Sequence, residues 1–238
     1  LENLLRTYRG GALVSVMAAN NETGVIQPLD QVVRLAREYD APVHSDAVQH
    51  FGKGFGGFRP SAIDMLTISA HKIGGPTGVG ALVVREGLSL PPFLLGGGQE
   101  SRRRGGTENL LGVVGFGAAA AATEKAGHGW LTQLQKWHQK LEDQILTASD
   151  AVIFGREVDR LANTSAIAMP GRMAETQVMQ FDLAGIAVSA GAACSSGKVA
   201  ASHVLEAMKV GDLAHQTIRV SSGWASTEDD FNLFAEIW

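Results

Sequence analysis

Residues 62–80 run from an apolar stretch, Met65-Leu66-Thr67-Ile68, through Ser69-Ala70-His71-Lys72 into a segment holding Gly74, Gly75, Pro76, Gly78 and Gly80. The apolar stretch predicts a short buried strand, and the glycines leave the following backbone bare enough for a ligand to come close. A lysine held there can be partly desolvated, which frees its amine for Schiff-base chemistry with a carbonyl. Taken singly, a lysine there is better read as an ammonium in water at a strand end. Upstream, Ala41-Pro42-Val43-His44-Ser45-Asp46 also runs from a proline into a polar end. A carboxylate at the carboxyl end of a strand in an α/β sheet sits where such sheets bind ligands. Asp46 there would keep a pyridinium nitrogen protonated, the state in which pyridoxal phosphate withdraws electrons. Asp is also a frequent N-cap, here for residues 47–51. The two residues together favour the cofactor reading over either bland alternative.

Cys194 is the only cysteine in 238 residues, so no internal disulfide can form. That points to a reducing compartment and leaves the thiol as either buried filler or a reactive group. Its surroundings, Ser189-Ala190-Gly191-Ala192-Ala193-Cys194-Ser195-Ser196-Gly197-Lys198, contain no large apolar side chain. Such a stretch makes a poor core and a good mobile loop. Lone cysteines are more often inert than reactive, but a small polar loop with Lys198 nearby offers the exposure and positive charge a thiolate needs.

These residues need a framework, and the hydropathy pattern supplies strands alternating with helices. Helix periodicity is expected around Leu1, Leu4 and Leu5, and over 28–39 with Leu29, Val32, Val33 and Ala36 on one face. Strands are expected at 12–17, from Val43 onward, at 65–68 and at 81–84. That alternation predicts an α/β fold with helices on the faces of a sheet. Beyond Thr107 a long helical region is expected to reach Ser149, with Trp130, Leu131, Leu134, Trp137, Leu141 and Ile145 as its core face. Residues 110–122, rich in Gly and Ala, read as a helix packed closely on the sheet rather than a membrane span. From residue 127 a smaller α+β domain is expected, with strands at 151–154, 164–169 and 186–188 and a last helix at 226–238 opened by Ser226-Thr227-Glu228-Asp229-Asp230.

Charged residues make up 18% of the chain, hydrophobic residues 45%, and the net charge is −4, which gives no reason to expect nucleic acid as a partner. Arg102-Arg103-Arg104 reads as a solvated loop or as a recruiter of phosphate or an acidic surface. No signal-peptide pattern opens the chain and no membrane segment is evident, so the expected location is the cytoplasm. No metal site is assigned.

Six motifs occur in order: Asn20-Asn21-Glu22-Thr23-Gly24, His44-Ser45-Asp46-Ala47-Val48-Gln49, Ser69-Ala70-His71-Lys72, Arg104-Gly105-Gly106-Thr107, Gly191-Ala192-Ala193-Cys194-Ser195-Ser196 and Ile218-Arg219-Val220-Ser221. This series resembles the cysteine desulfurases of the nitrogen-fixation and iron–sulfur-cluster assembly type, within the class V aminotransferase superfamily. The resemblance implies the pyridoxal-phosphate-dependent transferase fold type I, with a helix-flanked, mostly parallel sheet in a large domain of which 1–126 is part. A small C-terminal α+β domain at 127–238 would carry the cysteine loop.

The resemblance also implies roles. Lys72 would bind pyridoxal 5'-phosphate covalently, Asp46 would pair with its ring nitrogen, Gln49 with its phenolic oxygen, and Ser69 and His71 with its phosphate. Thr107 would reach a phosphate across a homodimer interface. Asn21 and Arg219 would hold the substrate L-cysteine, the arginine clamping its carboxylate, and Cys194 would accept the sulfur for delivery to an iron–sulfur scaffold or other acceptor protein. Relatives carry a further N-terminal region with a phosphate loop and a histidine that stacks on the cofactor. Neither is found here, so the chain reads as a fragment lacking that region. Two alternatives stay open: a selenocysteine lyase or class V aminotransferase, and a noncatalytic sulfur-carrier or assembly subunit.

Overall fold

Three short parallel strands form the frame on which the lysine and the aspartate sit. The computed structural model describes residues 1–8, 10–54, 62–191 and 202–238. In it β1 (Val14–Met17), β2 (Val43–Asp46) and β3 (Met65–Ser69) run parallel, and β4 (Gly80–Val84) returns antiparallel beside β3, in the order β1-β2-β3-β4. The helix α1 (Glu2–Thr7) and the amphipathic α2 (Leu29–Glu38) cover one face of this sheet. Leu29, Val33 and Ala36 recur at helical spacing and are buried with Leu5, Val14, Val43 and Leu66. Asp40, with φ of 53°, ends α2: its N–H donates to Arg37 and that of Ala41 to Ala36, which satisfies the last carbonyls and turns the chain into Pro42 and β2.

The chain divides into two units, Leu1–Ala18 with Gln27–Gly127 and Ala19–Ile26 with His128–Trp238. The sequence pattern had placed residues 19–26 with the first part, but their contacts lie with the second. That second unit contains an antiparallel sheet of β5 (Val152–Phe154), β6 (Thr164–Ala168), β7 (Ser189–Ala190) and β8 (Thr217–Ser221), ordered β5-β6-β8-β7. Sequence periodicity missed β8. The strand expected at 186–188 does not pair: Ile186 donates to Phe181 as the chain leaves a helix, and pairing begins at Ser189.

Four differences at helices have local causes. The region expected to be helical from 107 to 149 is two helices, α3 (Leu110–Ala126) and α4 (Gly129–Ala148), broken where Gly127 takes a φ of 62°. α5 (Ala174–Leu183) was not anticipated, because its buried residues include Gln177 rather than a clear apolar stripe. The short α6 (His203–Ala207) follows Ser202, whose side chain caps Leu205 N. The last helix, α7, is Glu228–Ile237 rather than 226–238, with Thr227 N–H donating to the Asp230 carboxylate at 2.8 Å. Among the described residues, no helix is long and apolar enough to cross a membrane.

α4 buries Leu131, Leu134, Leu141 and Ile145 as its periodicity indicates, and on the same stripe it also buries His138 and Glu142. The two polar groups are compatible with a core because each is hydrogen-bonded. Arg160 Nη2 donates to both Glu142 oxygens at 2.9 Å, and Ser165 Oγ donates to Glu142 Oε1 at 2.6 Å. With that proton committed, Ser165 must accept from His138 Nδ1–H (2.8 Å), and in the neutral ring Nε2 then accepts from Ser222 Oγ (2.9 Å). This network satisfies both nitrogens of a neutral imidazole. Burial, and secondarily Arg160, push the His138 pKa down to about 3. In the unfolded chain that pKa is about 6.5, so between these values the unfolded state holds a proton the folded state lacks. Stability is then complete above pH 6.5 and falls as the pH drops toward about 3, by about 1.4 kcal/mol per pH unit from this group. Urea unfolding across that range should show a steeper acid loss in the unmodified protein than in His138→Gln. Equal slopes would contradict the assignment.

Candidate active site

Asp46 and Lys72 reach the same end of one sheet because β2 and β3 are parallel neighbours. Asp46 is the last residue of β2 and pairs in register with Thr67 of β3. β3 ends at Ser69, and a single 3₁₀ turn, Ala70–Ile73, follows with His71 and Lys72 in it. Lys72 thus precedes the glycine-rich bend instead of lying within it, and Gly74, with φ of 82°, closes the turn. Its side chain is half-buried and makes no hydrogen bond or ion pair with a described residue. Ser69 Oγ lies 2.8 Å from His71 Nδ1, and Gln49 lies half-buried in the turns that follow β2. Residues 47–51 form turns rather than the helix that an N-cap would start. What remains of the capping role is one bond, from Val48 N–H to Asp46 Oδ1 at 2.9 Å, and the other carboxylate oxygen has no described partner.

α3 holds the lysine turn in place by close backbone approach. It buries Gly112 and Phe116, and a Cβ on Gly115 would lie 2.9 Å from Pro76. The sequence pattern placed this helix on the sheet; it packs chiefly on the turn following β3, in a cluster that Ile68 of β3 also joins. Leu110 and Leu111, on other sides of α3, are 69% and 86% exposed.

In the second unit the structure joins Asn21 to Arg219. Asn20 Oδ1 accepts from the N–H groups of Glu22 and Thr23 and shapes the bend that presents Asn21. Arg219, on β8, donates through Nη1 to the Asn21 carbonyl at 3.0 Å and through Nη2 to Ser189 Oγ at 3.2 Å. Its Nε is buried without a partner, and no carboxylate among the described residues forms an ion pair with it. A half-buried guanidinium lacking a counter-charge is suited to an incoming carboxylate.

One expected site residue, Thr107, is not joined to these groups. Thr107 is exposed just ahead of α3; its carbonyl accepts from Arg104 Nη1 at 3.4 Å, and no hydrogen bond links it to Ser69 or His71. Cys194 lies outside the described residues. Sequence reasoning also passed over two side chains. Ser189 orients Arg219, and nothing in the pattern marked it. His44 stands two residues before Asp46, so strand alternation alone puts both on one face.

The first group offers an amine for a carbonyl, a carboxylate for a ring nitrogen and a hydroxyl–imidazole pair for a phosphate, a donor set that suits pyridoxal phosphate. Comparison with known proteins agrees. The class-V aminotransferase family model matches residues 3–234. A cysteine desulfurase of Cereibacter sphaeroides is 44% identical over 95% of this chain and 58% of its own length. The cysteine desulfurase NifS of Azotobacter vinelandii is 39% identical over 93% of this chain and 56% of its own length. The crystal structure of a NifS-like protein from Rickettsia africae superposes with a TM-score of 0.87 at 36% identity, covering 99% of this chain and 63% of that one. The chain therefore spans a little over half the length of these curated relatives, and its fold is that of pyridoxal-phosphate fold type I. The match over nearly every residue, joined to this shared fold, places the chain in the class-V aminotransferase family, whose enzymes depend on pyridoxal phosphate.

Proposed function

We propose that the chain carries the catalytic residues of a cysteine desulfurase, which converts L-cysteine to L-alanine and leaves the sulfur as a persulfide on Cys194. The observation that supports this most is the convergence of Asp46 and Lys72 at the carboxyl ends of two adjacent parallel strands. Lys72 would anchor pyridoxal phosphate, Asp46 would face its ring nitrogen, Gln49 its phenolic oxygen, and Ser69 and His71 its phosphate. When bound, the cofactor supplies a carbonyl for the substrate amine and an electron-withdrawing ring.

The rest of the chemistry falls to the protein's own side chains. Arg219, fixed by Asn21 and Ser189, clamps the substrate carboxylate. Lys72, as a free amine beside the bound substrate, would move protons. The Cys194 thiolate attacks the substrate sulfur: an S–S bond forms, the C–S bond breaks, and its electron pair stays with the substrate carbon, which takes up a proton and leaves as L-alanine. The persulfide then passes to an iron–sulfur scaffold or another acceptor protein.

On this reading 1–126 belongs to the large cofactor-binding domain and 127–238 is the small domain that carries the cysteine. The enzyme is a cytoplasmic homodimer in which Thr107 reaches the other subunit's phosphate. The exposed Leu110 and Leu111, close after Thr107 in the chain, support an interface there, since exposed apolar surface marks one.

Asp46→Asn tests the assignment. Asparagine keeps the oxygen that accepts from Val48 N–H, so the turn survives, while the charge facing the ring nitrogen is lost. Turnover should fall about a thousandfold, roughly 4 kcal/mol of barrier, with a much smaller loss of cofactor affinity. Near-normal turnover would reduce Asp46 to a turn residue.

A further inference from the structure

The buried ion pair of Glu142 and Arg160 is a part of the second unit that the proposed chemistry does not use. The Glu142 side chain, on α4, is 1% exposed, and Arg160 Nη2 donates to both of its oxygens at 2.9 Å. Arg160 Nη1 donates to the Thr164 carbonyl at 3.4 Å. Apolar side chains of similar size often stabilise a core as well as a buried ion pair does, so stability alone does not account for this one.

What Arg160 holds is decided by its backbone. It forms an antiparallel bridge with Val25, and on either side of that bridge Ile26 N–H donates to the Asp159 carbonyl and Leu161 N–H to the Gly24 carbonyl, both at 2.8 Å. Residues 20–25 are in turn bonded to one another. Asn20 N–H donates to the Val25 carbonyl at 2.9 Å and Gly24 N–H to the Asn20 carbonyl at 3.0 Å, while Asn20 Oδ1 accepts from the N–H groups of Glu22 and Thr23. The bend therefore moves as one piece, and its Asn21 carbonyl accepts from Arg219 Nη1 at 3.0 Å. Two close approaches seat it. A Cβ on Gly155, just after β5, would lie 2.5 Å from Val25 Cγ2 and 3.3 Å from Arg160 Cδ, and one on Gly24 would lie 3.2 Å from Thr164 Cβ. The Arg160 stem thus lies with Val25 over a position that has no side chain, and its head is fixed by Glu142.

We propose that Arg160 is a positioning residue for Arg219: anchored by Glu142, it fixes the bend 20–25, and the Asn21 carbonyl of that bend fixes the Arg219 guanidinium. Every step from Glu142 to Arg219 is a hydrogen bond or a backbone bridge within the second unit. The significance for catalysis rests on the reading of Arg219 as the clamp for the substrate carboxylate. The strap itself is a property of the polypeptide, so it can be examined without cofactor.

The double substitution Arg160→Met with Glu142→Gln, in the full chain, removes both charges together, keeps an unbranched stem over Gly155 and keeps an oxygen to accept from Ser165. Gly155→Ala disturbs the seat from the side of Val25 and leaves the ion pair intact, so it decides the matter by the same readings if the double variant does not fold. Amide hydrogen exchange without cofactor should quicken at least about tenfold at Ile26 and Leu161 in each variant, and stay unchanged at Ile167 in the interior strand β6. Unchanged exchange at Ile26 and Leu161 overturns the proposal. Equal acceleration at Ile167 also overturns it, since that marks a role in global stability. With cofactor bound, KM for L-cysteine should rise about ten- to a hundredfold at nearly constant kcat, because a carboxylate clamp holds the substrate in ground and transition states alike. A fall in kcat with KM unmoved overturns the proposal. Local quickening in the variants of a protein that forms no alanine from L-cysteine would overturn the desulfurase reading and leave the strap standing.

Discussion

Replacing Lys72 by alanine abolishes covalent capture of pyridoxal phosphate and lowers desulfuration by at least about 10⁴-fold, the scale of a lost proton-transferring side chain. Two functions should disappear together, because on the proposed reading the amine that anchors the cofactor is also the one freed to move protons once substrate binds. The fold should survive, since Lys72 is half-buried and makes no hydrogen bond or ion pair with a described residue, while the 3₁₀ turn around it is held by buried Ala70 and Ile73. Borohydride reduction of the unmodified enzyme with cofactor should fix one cofactor on the peptide that contains Lys72, and none on Lys72→Ala. Covalent capture persisting at Lys53 or any other lysine in the variant would show that the sheet end identified here is the wrong one.

Much of this site was legible in the sequence, for reasons visible in particular residues. β3 is short and mostly apolar, β2 is short and turns polar after Val43, and Pro42 and Gly74 bound them, so strand ends carrying Asp46 and Lys72 followed from local chemistry. The α2 stripe was equally plain, because Leu29, Val33 and Ala36 recur at helical spacing against polar neighbours. What escaped depends on long-range pairing. β8 was recognised as the motif around Arg219 but not as a strand, since its place between β6 and β7 is set by partners far away in the chain. The α4 stripe concealed His138 and Glu142, which a hydropathy pattern assigns to the surface. They are inside because Arg160, Ser165 and Ser222 arrive from other elements to bond them. The same limit applies to Ser189 and Arg219: only the sheet brings them within 3.2 Å.

Cys194→Ser should release no sulfide from L-cysteine in the presence of a reductant, while binding of L-cysteine through Arg219 and Asn21 persists. Serine preserves the size and polarity of the side chain, but an alcohol is a far poorer nucleophile toward sulfur than a thiolate. The loss should therefore lie in turnover and not in substrate affinity. Sulfide production at the normal rate by this variant would remove the protein thiol from the reaction and favour a lyase or aminotransferase that works without one.

The central claim is that a thiol of this chain takes the substrate's sulfur, and the most direct measurement is the mass of the unmodified enzyme after a single exposure to L-cysteine without reductant. The account predicts one added sulfur atom, located on the peptide containing Cys194 and reversed by reductant, with one equivalent of L-alanine released for each sulfur gained. Alanine formed with no added mass on Cys194 would contradict it.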